Sequence, residues 1–501
     1  MANPLYDALF APLAGQTRAF LHLPDGAAIS GAAFHGMIAE LAMGLRAAGV
    51  AKGDRVAVQA AKSPRAMAIY AASVSIGAVY LPLNPAYTAA EVDYFIGNAG
   101  PHLFFCDPSA RAALTPIAAR HGARLETLAA NGAVSLPLSG GAGFAPAPCT
   151  GADLAAILYT SGTTGRSKGA MLSHDNLLSN AQVLADVWQF TADDVLLHAL
   201  PIFHTHGLFV ATNTVLVAGA SMIFLPSFDV GQVLAALPRS TVMMGVPTFY
   251  TRLLESPAFS RDLAAHMRLF VSGSAPLLAE THAAFEARTG HAILERYGMT
   301  ETNMNTSNPY AGARRAGTVG FPLPGVELRI IEGGAQLPQG AIGMITVRGP
   351  NVFRGYWQMP EKTAEELSAD GWFSTGDLGV IDDLGYVQIV GRAKDLIISG
   401  GFNVYPKEVE MALDAADGVL ESAVIGLPHP DFGEAVFAVL VAQKGVDLDA
   451  GAVLASLSGQ IAKFKQPKGA VVLADLPRNA MGKVQKADLR KAYGDWFSKP
   501  S

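Results

Sequence analysis

The chain of 501 residues sets 36 Lys and Arg against 42 Asp and Glu, a formal net charge of −6. With no long basic run, this argues against nucleic acid or an anionic membrane as the main partner. One hydrophobic core rarely serves such a length, so at least two domains are expected. Only Cys106 and Cys149 are present, which excludes a disulfide framework or a four-thiolate metal site and suits a reducing cytoplasm.

The opening "MANPLYDALFAPLAGQ" lacks the basic region and apolar core of a signal peptide. The longest apolar stretch, near 207–225, is broken by Asn213, Thr214 and several Gly, so no membrane span is expected and the protein is placed in the cytoplasm. Strand-length apolar runs alternate with helical patterns, as in "RVAVQA", "SPRAMAIYAASVSIGA", "VYLPL" and again in "ASMIFLP", "VGQVLAAL", "TVMMGVP". Alternation of this kind predicts a parallel sheet covered by helices. Between the two series, "SLPLSGGAGFAPAPCTG" at 135–151 is a linker candidate. From about 326 the strands shorten and turns multiply ("VELRII", "GMITVRG", "GYVQIVG"), and "GRAKDLIISGG" leads into a last segment with its own helices and strands. The expected fold is α/β plus α+β. A large N-terminal domain over 1–392 has parallel sheets, covering helices and a β-rich subdomain; a small α+β domain follows over 393–501.

"YTSGTTGRSKGAMLSH", residues 159–174, concentrates glycines, hydroxyls and two cations in one loop. Gly162, Gly165 and Gly169 permit tight turns that bring backbone N–H groups near a ligand. Ser161, Thr163, Thr164 and Ser167, with Thr160 at the edge of the run, can donate hydroxyl protons, and Arg166 and Lys168 supply positive charge. The pattern suits a phosphate, and equally a polar surface turn. It is not a Walker loop, because Gly169 follows the lysine where a Ser or Thr would hold magnesium.

Further on, "ERYGMTETN" at 295–303 offers Tyr297 to stack a base, Gly298 and Met299 beside it, Thr300 to touch a phosphate and Glu301 to hold a divalent cation. A turn with a helix start reads the same way. "FSTGDLG" places Asp377 where a carboxylate could accept both hydroxyls of a ribose, and "GRAKD" and "PRNAMGKVQK" put basic residues in glycine-containing connections. Turn residues and solvated surface charge are the alternatives for each.

In this order and over this length, "YTSGTTGRSKG", "YGMTE", "STGDL", "GRAKDLIISGGFNVYP" and "PRNAMGKV" closely resemble the adenylate-forming enzymes: acyl-CoA synthetases, luciferases and the adenylation domains of peptide synthetases. The resemblance covers about residues 30 to 490. It implies a two-step reaction in which a carboxylate attacks Mg-ATP to give an acyl-adenylate and a thiol then displaces AMP. By resemblance, the loop at 161–169 holds the β- and γ-phosphates, Tyr297 stacks adenine, Thr300 contacts the α-phosphate and Glu301 holds Mg²⁺. Asp377 with Arg392 binds the ribose. Lys483 is the expected catalytic residue, because a cation bridging carboxylate and α-phosphate cancels the repulsion of two anions. The C-terminal domain is expected to swing about a hinge at Lys394, and Gly400 and Gly401 to line the path of coenzyme A.

For the acid, "LPIFHTHGLF" carries His204 and His206, and "GVPTFYTRLLE" carries Arg252. His204 stands where the peptide-synthetase domains resembled here carry an Asp for an amino group, so an amino acid is not the expected substrate. With "VSGSAPL" the texture looks most like the malonyl-CoA synthetases, in which an Arg, a His and a Ser hold a short dicarboxylate. By position these are Arg252, His206 and one of Ser272 or Ser274, with methylmalonate as a second substrate. An acetyltransferase and deacetylase acting on Lys483 are expected partners. A medium-chain or aryl ligase and an enzyme loading a carrier protein share the nucleotide motifs.

Overall fold

The structure, a computed structural model, describes residues 2–160, 167–479 and 482–497. By contact, the chain forms two compact units: Met1–Leu328 with Val347–Phe373, and Arg329–Thr346 with Ser374–Ser501. The change of texture read near 326 thus falls at a unit boundary. Residues 374–392, assigned by sequence to the first domain, group by contact with the C-terminal unit.

In the first unit a six-stranded sheet runs in the order Arg124–Thr127, Leu103–Cys106, Arg55–Gln59, Val79–Pro82, Leu154–Thr160 and Lys168–Ser173. All its pairs are parallel except the last, which is an antiparallel hairpin. Strands such as "LFFC" and "VYLP" are buried on both faces, as expected of a sheet covered by helices. Between the strands Arg55–Gln59 and Val79–Pro82 lies helix Pro64–Ser75, started by the Ser63 side chain accepting from the Ala66 N–H and by Pro64 at its first position.

A nine-stranded sheet carries the site residues. Its parallel centre runs Leu294–Met299, Leu269–Ser272, Val242–Gly245, Val195–His198, Ser221–Phe224 and Ala19–His22. The register Val271 to Leu294 and Ser272 to Glu295 sets the ends of two site strands side by side. Tyr250, Leu253, Phe270, Phe285 and Ile293 pack the core on one face. The apolar stretch near 207–225 forms a π-helix, His206–Thr212, then helix Asn213–Ala218 and a strand. Among the described residues no helix is long and apolar enough to cross a membrane.

The second unit holds most of a five-stranded sheet, in which Phe373–Ile381 pairs antiparallel with Val387–Arg392. Its last part is a hairpin of Val419–His429 with Gly433–Ala442, extended by a parallel strand Gly469–Leu473 and by Ile397–Ser399 with Phe402–Val404. Helices and Val409, Leu413, Val424 and Leu440 close its core. The α/β plus α+β expectation holds.

Candidate active site

Of the phosphate-loop residues, Ser161, Gly162, Thr163, Thr164 and Gly165, with Arg166, lie outside the described residues. The flanks are described: Thr160 pairs with Lys168 across the hairpin. The Lys168 ammonium lies 3.0 and 3.2 Å from the two carboxylate oxygens of Glu366 and 4.1 Å above the Tyr356 ring. The Tyr356 hydroxyl reaches Glu366 at 2.6 Å and Glu301 at 3.0 Å. Burial, then the charges of Glu301 and Glu366, raises the phenol pKa, so Tyr356 stays a donor between two carboxylates. Burial alone would raise the Glu366 carboxyl; the Tyr356, Lys168 and Lys362 contacts outweigh it and hold it below its ordinary range. Tyr356 and Glu366 were missed in the sequence because three distant segments must meet before they touch Lys168 and Glu301.

Strand Leu294–Met299 turns back tightly into Asn303–Ser307. Here glycine is required at 298, since a Cβ would stand 1.8 Å from the Asn303 carbonyl oxygen, and Asn303 itself has φ 49°. Tyr297, Gly298, Met299 and Thr300 are half-buried along an accessible rim, whereas Glu301 is folded inside. Among the described residues no group of three or more His, Cys, Asp or Glu forms a metal cluster. A single carboxylate is a sufficient protein ligand for a Mg²⁺ that is also held by phosphates and water.

The acid-pocket expectation needs a correction. Arg252 lies exposed on the last turn of helix Pro247–Glu255, because the helix turns Tyr250 and Leu253 into the core and sends Arg252 to solvent. The buried cation is Arg296, 4% exposed, with Nε and Nη2 lacking any hydrogen-bond partner. Burial draws its pKa down to about 9. Its guanidinium lies over Gly273, where a Cβ would come within 2.3 Å of Cζ. On either side of that glycine stand Ser272, whose buried hydroxyl has no partner, and Ser274, whose φ is +73°. The Ser274 hydroxyl lies 3.1 Å from His206 Nδ1, and His206 Nε2 is buried without a partner. Burial, followed by the charge of Arg296, lowers the His206 pKa well below its ordinary value. The ring is therefore neutral, and in the tautomer whose Nδ1 accepts from Ser274 it presents Nε2–H. His204 is half-buried, with Nδ1 3.5 Å from the His206 backbone nitrogen. Unused buried donors converging in this way suit an anionic oxygen ligand. In the sequence, "ERYGMTETN" reads as nucleotide chemistry or as a turn, and the signal for Arg296 appears only once Leu294–Met299 is seen as a strand carrying a buried charge.

In the second unit Asp377 is buried and pairs with Arg392 at 2.5 Å, the two lying opposite each other on adjacent strands. Lys483 keeps solvent exposure as a residue, yet burial of its ammonium, then the charge of Arg392, lowers its pKa to about 8, with Asp377 opposing. Lys394 sits in the short 3₁₀ turn Ala393–Asp395, and burial lowers its pKa too. The neighbouring Asp395 pairs with Arg490 at 2.6 Å. Gly400 and Gly401 form a turn at φ +58° and +82°, and a Cβ on Gly401 would meet nothing within 4 Å.

A fold of this kind, with an accessible Tyr-Gly-Met-Thr rim and a compact C-terminal unit, is that of the nucleotide-dependent adenylating class. The chain belongs to the AMP-binding enzyme family: residues 13–357 match the AMP-binding enzyme model and 408–483 that of its C-terminal domain. It is 35% identical to a malonate–CoA ligase of Arabidopsis thaliana over 89% of this chain and 79% of that one. It is also 36% identical to a feruloyl-CoA synthase of an Amycolatopsis species, covering 94% and 95%. Among solved structures, the ATP-bound MatB of Rhodopseudomonas palustris aligns with a TM-score of 0.96 at 57% identity, over 99% of this chain and all of that one.

Proposed function

We propose that the protein activates malonate with Mg-ATP to malonyl-adenylate and passes the acyl group to coenzyme A, releasing AMP and pyrophosphate. The observation that carries the acid is Arg296, a buried guanidinium with two unused nitrogens beside the open polar atoms of His206 and Ser272. A monocarboxylate spends its one anionic group on the α-phosphorus and leaves Arg296 unanswered, whereas a dicarboxylate has a second to give it. Arg296 thus takes the role that sequence position gave to Arg252. The similarity to a malonate–CoA ligase and to MatB supports the same acid. Methylmalonate fits the same contacts, since one methyl group changes binding by only about 1 to 3 kcal/mol.

The remaining roles follow from chemistry. Tyr297 stacks adenine, Thr300 contacts the α-phosphate, and Asp377 with Arg392 takes the ribose. Glu301, oriented by Tyr356, is the carboxylate that holds Mg²⁺, which neutralises phosphate charge when bound. The Lys168 ammonium serves the outer phosphates with the loop at 161–166. Lys483, protonated, draws carboxylate and α-phosphate together. For thiol transfer the chain swings at Lys394, dividing functionally at 392/393, and the Gly400–Gly401 turn leaves room for pantetheine. Acetylation of Lys483 by a cellular acetyltransferase removes its charge and stops the first step. A reducing cytoplasm is the proposed compartment, in keeping with two buried free thiols.

The deciding experiment is pyrophosphate release by the purified chain with ATP, coenzyme A and a panel of malonate, methylmalonate, acetate, octanoate and benzoate. Malonate is expected to be the best substrate. Preference for octanoate or benzoate overturns the reading.

A further inference from the structure

Lys62 stands just before helix Pro64–Ser75, far in sequence from every motif above, and no step of the chemistry uses it. Its ammonium points inward, over the Phe224 ring at 4.3 Å. It lies 2.8 Å from His198 Nδ1, 2.8 Å from the His198 carbonyl oxygen and 2.9 Å from that of Leu200. None of these partners carries a negative charge. An uncompensated inward-facing ammonium is costly, so its retention asks for a reason.

The protons can be assigned. His198 is 1% exposed, and its Nε2 lies 2.9 Å from the Gly207 carbonyl oxygen and 3.2 Å from Thr212 Oγ1. The Thr212 hydroxyl itself donates to the same carbonyl at 2.9 Å. A carbonyl only accepts, so Nε2 carries the proton and Nδ1 accepts from Lys62. Lys62 then faces three acceptors, a set that only the ammonium can satisfy in full, and these contacts oppose the burial that draws its pKa well below the ordinary lysine value.

The two side chains together fasten both ends of one loop. Lys62 holds the carbonyls of 198 and 200 where the loop leaves strand Val195–His198. His198 holds the carbonyl of 207 where it enters the π-helix His206–Thr212. Between these anchors lie His204 and His206, and the loop is drawn so tight that a Cβ on Gly207 would stand 2.0 Å from the Pro201 carbonyl oxygen.

We propose that Lys62, acting through His198, is a positioning residue for the acid site: the pair fixes the 198–207 loop so that His206 Nε2 meets the substrate carboxylate. The inference rests on the acid-binding role given to His206 above. Lys62 touches no substrate atom.

The test is a double-mutant cycle on the full chain, read as KM for malonate and for ATP in pyrophosphate release. Lys62→Met, which fills the space without donating, is expected to raise the malonate KM about tenfold, the loss of hydrogen bonds to a charged group, and to leave the ATP KM within about twofold. In a His206→Ala background the same change is expected to add less than about twofold, since the residue it positions is gone. A parallel rise in both KM values, or full additivity of the two substitutions, overturns the proposal. If Lys62→Met gives no folded chain, His198→Asn runs the same cycle and the same two results decide. A wild type inert to malonate overturns the substrate reading instead, and the cycle is then run with the acid that the chain uses.

Discussion

Two regions of the molecule concentrate positive charge, and they treat it in opposite ways. In the second unit several cations are answered by carboxylates: Arg392 by Asp377, Arg490 by Asp395, Lys486 by Glu410, Lys465 by Glu408 and Arg478 by Glu421. In the acid pocket Arg296 has two nitrogens without any partner. A paired charge is spent on holding a shape. An unpaired buried one is held for something that arrives, because leaving it without a partner costs far more than a surface pair gains.

Lys483, in the second unit, is assigned a role in the chemistry rather than in holding a shape, and it offers the largest effect with which to probe the comparison. Lys483→Ala should lower adenylate formation about 10³-fold, while thioester formation from supplied malonyl-adenylate persists. Equal loss in both half-reactions would make Lys483 a structural charge like its neighbours.

The next effect belongs to the acid pocket. Arg296→Ala should cost malonate about 3 to 5 kcal/mol in kcat/KM, because the dianion loses its desolvated partner. Acetate and butyrate should lose far less. A flat malonate-to-butyrate ratio would return Arg296 to the class of structural charges.

Lys394→Pro fixes φ and removes a backbone donor where the chain is proposed to bend. Thioester formation should fall about tenfold relative to adenylation, the scale of a hindered gating step; equal rates for both half-reactions argue against a hinge there.

Titration sharpens the contrast further. Lys483 must be charged to bridge two anions, and its pKa in the unliganded protein is lowered to about 8. The protonated, active form dominates below that value, so kcat/KM for adenylation should fall as pH rises through it, and Lys483→Arg should move the falling limb to higher pH. The smallest effect is expected of Arg252→Ala. An exposed helix residue changes stability and activity by less than about 0.5 kcal/mol, and a large loss for malonate would revive its sequence-assigned role.

Much of the fold was legible because strand-length apolar runs and helical patterns alternate along the chain and change texture near 326. The nucleotide motifs were legible as short contiguous runs, and the roles given to their residues come from the family resemblance, since the residue types alone also suit turns and surface charge. The acid pocket is built differently. Arg252 and Arg296 are both arginines next to apolar or aromatic runs, and packing separates them: helical periodicity turns Tyr250 and Leu253 inward at the expense of Arg252, while strand register carries Arg296 over Gly273. The contacts of Lys62 with His198 and of Lys168 with Glu366 join segments more than a hundred residues apart, and no local pattern announces them.

Gly273 carries a consequence for how such pockets diverge. A methyl group on this residue would stand 2.3 Å from the Arg296 Cζ, so a larger residue here would displace the guanidinium from its place. A lineage that kept the arginine in that place would favour glycine here. One that exchanged the arginine for a smaller apolar residue would be free to grow a side chain at 273 into the vacated space, and by doing so would close the route back to a dicarboxylate. Positions 273 and 296 should therefore drift as a pair, and the glycine works as a ratchet on which acids the descendants of this fold can accept.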